Sequence, residues 1–186
     1  MKKLLLIIII LLSIYGCTNN KSIKNNSSTN KKNTIQSIEN KIQTKSNIED
    51  ARNFENSLSN GSVMMISTNN SPSLEVYNIQ VLDKFIDSFN NGTEGYVRII
   101  KGKLIDNKFL VNKLEELECY NHKIKLTPYD PYSDKDKFIQ GKTNYFIKIV
   151  KLNIDDGVKY TLLTDENTPN DMGLTLISFD KTNIKN

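Results

Sequence analysis

Between positions 129 and 136 the chain reads YDPYSDKD, which sets Asp130, Asp134 and Asp136 beside Tyr129 and Tyr132. Carboxylates on a turning loop can supply several of the six to eight oxygens that calcium takes. The EF-hand order with its required glycine is absent, however, and Lys135 and Lys137 interleave the aspartates. Solvated turn chemistry is therefore the expectation, and no metal or other cofactor is assigned. Pro128 and Pro131 stiffen the two tyrosines, so Tyr129, Asp130, Tyr132, Asp134 and Asp136 form a candidate binding loop with a small aromatic platform. The other reading packs the tyrosines over their own turn. A second acidic loop carries Asp165, Glu166 and Asp171.

Nucleophile–base chemistry finds little support. His122 is the single histidine and falls in an expected hairpin turn, with no partner for a base or a metal nearby. Cys119 lies in a strand-like run, LEELECYN, where a buried small hydrophobe is the expected fate of a free cysteine. Residues three apart on a strand point to opposite faces, so Cys119 and His122 make a poor pair. No G-x-S-x-G, H-E-x-x-H or phosphate-binding glycine loop occurs, and no catalytic residue is assigned.

The first residues carry a different chemistry. Met1-Lys2-Lys3 is followed by an apolar run from Leu4 to Leu12. That run is shorter than the roughly 20 residues a spanning helix needs, and its length suits a signal-peptide core. Ile14-Tyr15-Gly16-Cys17 resembles the bacterial lipobox, with an aliphatic residue three before the cut, a small one just before it and cysteine just after. The resemblance implies a signal peptide at 1–16, a diacylglyceryl group on the Cys17 sulfur, and Cys17 as the new N-terminus. The expected partner is thus the membrane, reached through Cys17, and the expected location is its extracytoplasmic face. Two acyl chains meet the double signal that stable anchoring needs. With Cys119 the only other cysteine, the lipidated chain has no internal disulfide, and its domain must be held by an apolar core.

Charge divides the mature chain. Residues 18–45 hold six lysines against Glu39, whereas 46–186 hold 17 Lys and Arg against 20 Asp and Glu. Basicity belongs to the tail, so the domain lacks the basic face of nucleic-acid binders, and no nucleic acid is expected as a partner. Residues 17–45 read as the lipidated cysteine and a disordered Asn/Ser/Lys tether. Its ends would lie about 30 Å apart. Its lysines either touch anionic headgroups or wall polymers, or only keep the tether solvated.

One globular domain is expected over 46–186. Ser46-Asn-Ile-Glu49 has the form of a capping box, and Ile48, Ala51, Phe54 and Leu58 share a helical side that ends at Asn60-Gly61. Residues 62–67 read as a strand and TNNSPS as a loop. Asn78 is placed to cap the clearest helix, with Ile79, Leu82, Ile86 and Phe89 on one face, Val81 and Phe85 broadening it, and Gly92 past its end. YVRIIKGKLI reads as a strand, and FLVNKLEELECYNHKIKLTPY as a half-solvated hairpin turning near Asn121-His122. NYFIKIVKLNIDDGVKYTLLT reads as a hairpin around Asp156-Gly157, and LTLISF as a last strand. The sum is an α+β fold: a small, mostly antiparallel sheet with one main amphipathic helix, preceded by the disordered tether.

Four stretches together resemble a family of small lipoproteins from low-GC Gram-positive bacteria that carry a domain of unknown function. They are Asn60-Gly61 before a strand, Leu82 to Phe89 with Gly92, Arg98-Ile99-Ile100, and Tyr129-Asp130 with Asp134 or Asp136. The family's acidic T-x-E-G-D-P stretch is replaced here by KGKLIDN, which keeps Asp106. The resemblance implies the fold and the anchor and brings no activity. The expected function is an anchored binding or interaction module meeting an envelope protein or polymer. The alternative is a metal-dependent cell-envelope enzyme using the Asp-rich loops.

Overall fold

A computed structural model of the protein describes residues 45–69 and 71–185. The expected signal peptide, the expected lipidation site Cys17 and the expected tether up to residue 44 lie outside the described residues.

The expected first helix divides in two: a 3-10 turn at Ile48–Arg52, then α1 at Phe54–Ser59. Asn53 causes the break. Its backbone is extended (φ −111°), and its side chain accepts from the Asn56 amide at 2.8 Å, so it caps a new helix and does not continue the old one. Ser46 is no cap either, because its hydroxyl accepts from Arg98 and Asn47 caps the 3-10 turn. The apolar side survives the break: Ala51 is buried, and Ile48, Phe54 and Leu58 pack beside it.

Gly61 (φ +76°) ends α1 in the left-handed conformation that favours glycine, and β1 follows at Val63–Thr68. The expected TNNSPS loop is shorter than its composition implied, since β2 (Ser71–Tyr77) already pairs antiparallel with β1 from Ser71. Helix α2 spans Ile79–Asn90 and buries Ile79, Leu82, Phe85 and Phe89. Asn78 holds the expected N-cap position, but its side chain makes no capping bond. It adopts a left-handed backbone (φ +56°) and its amide donates to the Leu58 and Ser62 carbonyls, both at 3.0 Å, tying α2 to the end of α1 and the start of β1.

Three long strands follow: β3 (Gly95–Ile105), β4 (Lys108–Tyr120) and β5 (Lys123–Asp130). Their turns, Asp106–Asn107 and Asn121–His122, have positive φ at both residues, the primed geometry that matches strand twist. Short strands β6 (Ile139–Gln140) and β7 (Asn144–Phe146) both add to β5, giving the order β2-β1-β3-β4-β5 with β6 and β7 outermost. Among the described strands only β1 and β3 pair parallel. The expected NYFIKIVKLNI strand therefore splits: β7 stays on the large sheet, and β8 (Lys148–Ile154) joins β9 (Gly157–Leu163) and β10 (Leu174–Asp180) in a second, three-stranded sheet. The β8–β9 turn sits one residue earlier than expected, at Asp155–Asp156, because Ile154 pairs with Gly157 and Asp155 takes the positive φ.

Two apolar clusters flank the large sheet. Val97, Ile99, Leu117 and Cys119 face the first, shared with α2 and the small sheet. Ile100 and Leu114 face the second, shared with the 3-10 turn, α1 and Phe138. The middle of β3–β4 is thus covered on both faces, so the β4 arm of the hairpin expected to be half-solvated is buried at every position from 114 to 117, and this is where charged side chains become buried.

Candidate functional site

The acidic loop after β5 is a set of side-chain-to-backbone turns. Asp130 Oδ1 accepts from the Tyr132 and Ser133 amides, at 2.7 and 3.3 Å, and Oδ2 takes the Ser133 hydroxyl. These bonds, the Ser133 hydroxyl foremost, lower the Asp130 pKa. Asp134 caps the Asp136 amide at 2.8 Å, and Asp165 does the same for Asn167 at 2.9 Å in the second loop. Their oxygens are thereby engaged in local bends. Among the described residues no three His, Cys, Asp or Glu side chains are placed to share a cation. The two tyrosines part company: Tyr129 packs against the second cluster, while Tyr132 is 71% exposed.

The other sequence candidates also separate. Cys119 is buried, its thiol donating to the Thr93 carbonyl at 3.6 Å, and burial pushes its pKa up to about 11. Gly95 is required beside it, since a Cβ there would lie 2.8 Å from the Cys119 sulfur. His122 lies exposed at its turn, with its ring edge-on to Phe89 at the end of α2.

A denser constellation lies on the face of β3–β4 beneath the start of the described chain. Arg98 and Glu116, each 1% exposed, stand opposite one another in the strand register. Glu116 Oε1 accepts from Arg98 Nε and Nη2, at 3.2 and 2.8 Å, and from the Tyr96 hydroxyl at 2.6 Å. Its Oε2 accepts from the Tyr129 hydroxyl at 3.0 Å and pairs with Lys45 Nζ at 3.1 Å. The remaining Arg98 donors hold the Ser46 hydroxyl and the Ser46 and Asn47 carbonyls, at 2.8–3.0 Å. All five guanidinium N–H groups are thus engaged.

The ionisation of this group follows from its partners. Burial alone would raise the Glu116 pKa, but the bonds from Tyr96, Arg98 and Lys45 outweigh it and hold the carboxyl lowered. Glu118 is lowered by its bond with Lys45, and then by Lys125. Burial, and then the neighbouring Glu116, pushes Tyr129 up to about 12. Burial also raises Tyr96, with its Glu116 bond adding to the effect. Charges so completely paired brace the fold. They clamp the 45–47 segment onto the sheet. Motif reading missed this group, although a charge inside RII facing a charge inside LEEL was its visible signal, since buried charges need partners.

A second missed feature bears on binding. β4 pairs with β3 from Lys108 to Cys119 but with β5 only from Leu114 onward. β5 stops at Asp130, where Pro131 and the Asp130 side-chain bonds bend the chain away. Beside Phe109–Asn112 this leaves a groove of about 360 Å³, walled by Arg52, Pro131 and Tyr132. The Tyr132 hydroxyl donates to Asn112 Oδ1 at 3.3 Å, and the Arg52 guanidinium stacks on Phe138 at 4.2 Å from its centroid. Arg52 Nε is held by Glu49 at 2.8 Å, whereas its buried Nη2 has no partner among the described residues.

No family model, curated protein or solved structure matches the chain. Among the described residues no helix is long and apolar enough to cross a membrane.

Proposed function

We propose that the protein is a lipoprotein held at the extracytoplasmic face of the cell membrane by a diacylglyceryl group on Cys17, and that its α+β domain is a binding module for an envelope protein or polymer. The observation that carries the reading is the apolar run ending in Ile14-Tyr15-Gly16-Cys17 and opening onto a lysine-rich tether. The motifs shared with small Gram-positive lipoproteins support it. So does the character of the domain, where the most concentrated charges are paired with one another and a groove beside an unpaired strand edge opens to solvent. The Asp130, Asp134 and Asp165 carboxylates are spent on their own turns, which favours binding over metal-assisted hydrolysis.

The test is Cys17→Ala in the producing cell. The expected outcome is loss of labelling by a fatty-acid analogue, with the protein released from membranes or left unprocessed. Labelling and membrane association that survive the substitution would remove the reading.

A further inference from the structure

The hydrogen-bond phase of β4 decides which backbone groups meet the groove. In a two-residue primed hairpin the residues flanking the turn exchange hydrogen bonds, and the bonded positions then alternate. Ile105 and Lys108 flank Asp106–Asn107, so Lys108 and Leu110 bond to β3 while the N–H and C=O of Phe109 and Val111 point the other way. The register shift at Lys101/Gly102, with Asn112 as the extra residue, then reverses the phase. Beyond it, Leu114, Glu116, Glu118 and Tyr120 turn their backbone groups to β5, as their pairing from the Asn121–His122 turn requires. Phe109 and Val111 therefore present two donors and two acceptors to a strand position that β5 leaves vacant.

We infer that this vacant position is a strand-addition site, and that its occupant is an extended peptide with alternating apolar side chains and a carboxylate. Main-chain bonds to an exposed edge give such sites their affinity, and alternate side chains give specificity. On one face the added strand would lie over Phe109 and Val111, beside Arg52, whose unpartnered Nη2 calls for an acceptor. On the other it would meet Leu110, which is 51% exposed. Lys108, exposed at the near end of the edge, adds a second cation. Two copies of this chain joined by the same edge would bring Arg52 and Lys108 of each against those of the other, so charge favours an acidic peptide. The inference rests on the binding-module reading and gives it a mode of binding.

The experiment selects seven-residue display peptides on the full lipidated protein in detergent, with Val111→Pro as counter-target. Proline on an exposed edge is tolerated but removes an outward N–H. The expected result is enrichment of alternating apolar sequences carrying Asp or Glu on the parent alone. The enriched peptide, made synthetically, should slow hydrogen exchange at the Phe109 and Val111 amides. Tyr132→Ser, at an exposed wall residue that leaves the core intact, should weaken it about tenfold. Failure to enrich any peptide, or equal enrichment on both targets, would overturn the inference. Protection of Phe109 and Val111 that grows with protein concentration and needs no peptide would replace it with self-association. Peptide-induced protection confined to β7 or β10 would sink the edge and leave the binding-module reading standing. Fatty-acid labelling that survives Cys17→Ala would remove the anchor and leave the edge to be decided by the peptide selection.

Discussion

Two regions of this domain concentrate ionisable side chains, and they behave in opposite ways. The loop after β5 gathers Asp130, Asp134 and Asp136 within seven residues, where the Asp130 and Asp134 carboxylates bond to their own turn and Asp136 is exposed. The face of β3–β4 gathers Arg98, Glu116, Tyr96, Tyr129 and Lys45 from positions up to 84 residues apart, and encloses them. Local clustering made the first conspicuous. The second carries more of the fold, because a charge removed from water must be matched by its partners, while an exposed charge is matched by water.

The sharpest way to break the comparison is to remove one charge of the buried pair. Arg98→Met takes the buried cation from Glu116, leaving it Tyr96, Tyr129 and the half-exposed Lys45, and frees Ser46 and Asn47 from the sheet. Breaking a buried pair from one side costs about 3–5 kcal/mol, so urea denaturation should show a large fall in midpoint. Adding Glu116→Leu should restore part of it, since a buried ion pair replaced by apolar groups is often neutral. Tyr96 and Tyr129 would still lack an acceptor, and the recovery should stop short of the parent. A midpoint unmoved by Arg98→Met would mean that the two regions do not differ as described.

Acid titration sharpens the contrast with an intermediate effect. The Glu116 and Glu118 pKa values are lower in the folded protein than their ordinary value of 4.5. A carboxyl depressed on folding contributes stability that is present above its unfolded pKa and is lost as pH falls through its folded one. Stability measured by denaturation should therefore fall below about pH 4.5, and Glu116→Gln should flatten that limb. Asp130 is also lowered, by the Ser133 hydroxyl, but stands in solvent. Asp130→Asn should leave the limb nearly as steep. Equal flattening by both substitutions would erase the distinction between buried and exposed carboxylates.

Much of the scaffold was legible because it rests on short-range rules. The α2 stripe, the Asn121–His122 turn, the left-handed Gly61 and Gly92, and the final strand all follow from periodicity and turn chemistry, and the α+β class follows from them. What escaped depends on distant neighbours. That NYFIKIVKLNI divides between two sheets is fixed by β5 and β9 competing for it, and no window of the sequence contains both. Burial of Arg98 and Glu116 depends on residues 45–47 returning to cover them. The bare edge at Phe109–Asn112 exists because β4 runs six residues further than β5 can follow. Proline and an aspartate turn at 130–131 hinted that β5 would stop, but only the register shows what its stopping uncovers.

The smallest effect is expected where the sequence drew most attention. If Asp130, Asp134 and Asp136 held a divalent ion, the ion would bind the native state alone, and saturation would raise the melting temperature by several degrees. Carboxylates that serve as local turn acceptors make a different prediction. Asparagine keeps a side-chain carbonyl able to accept the same amide bonds, those to Tyr132, Ser133 and Asp136. The triple change to asparagine should therefore leave the melting temperature of the full protein nearly unchanged. Millimolar calcium, magnesium or manganese should not move it either, in parent or variant, once ionic strength is matched to remove screening. A metal-dependent rise in the parent that vanishes in the triple variant would reverse the ranking of the two regions. It would also put hydrolytic chemistry at this loop ahead of peptide binding at the β4 edge.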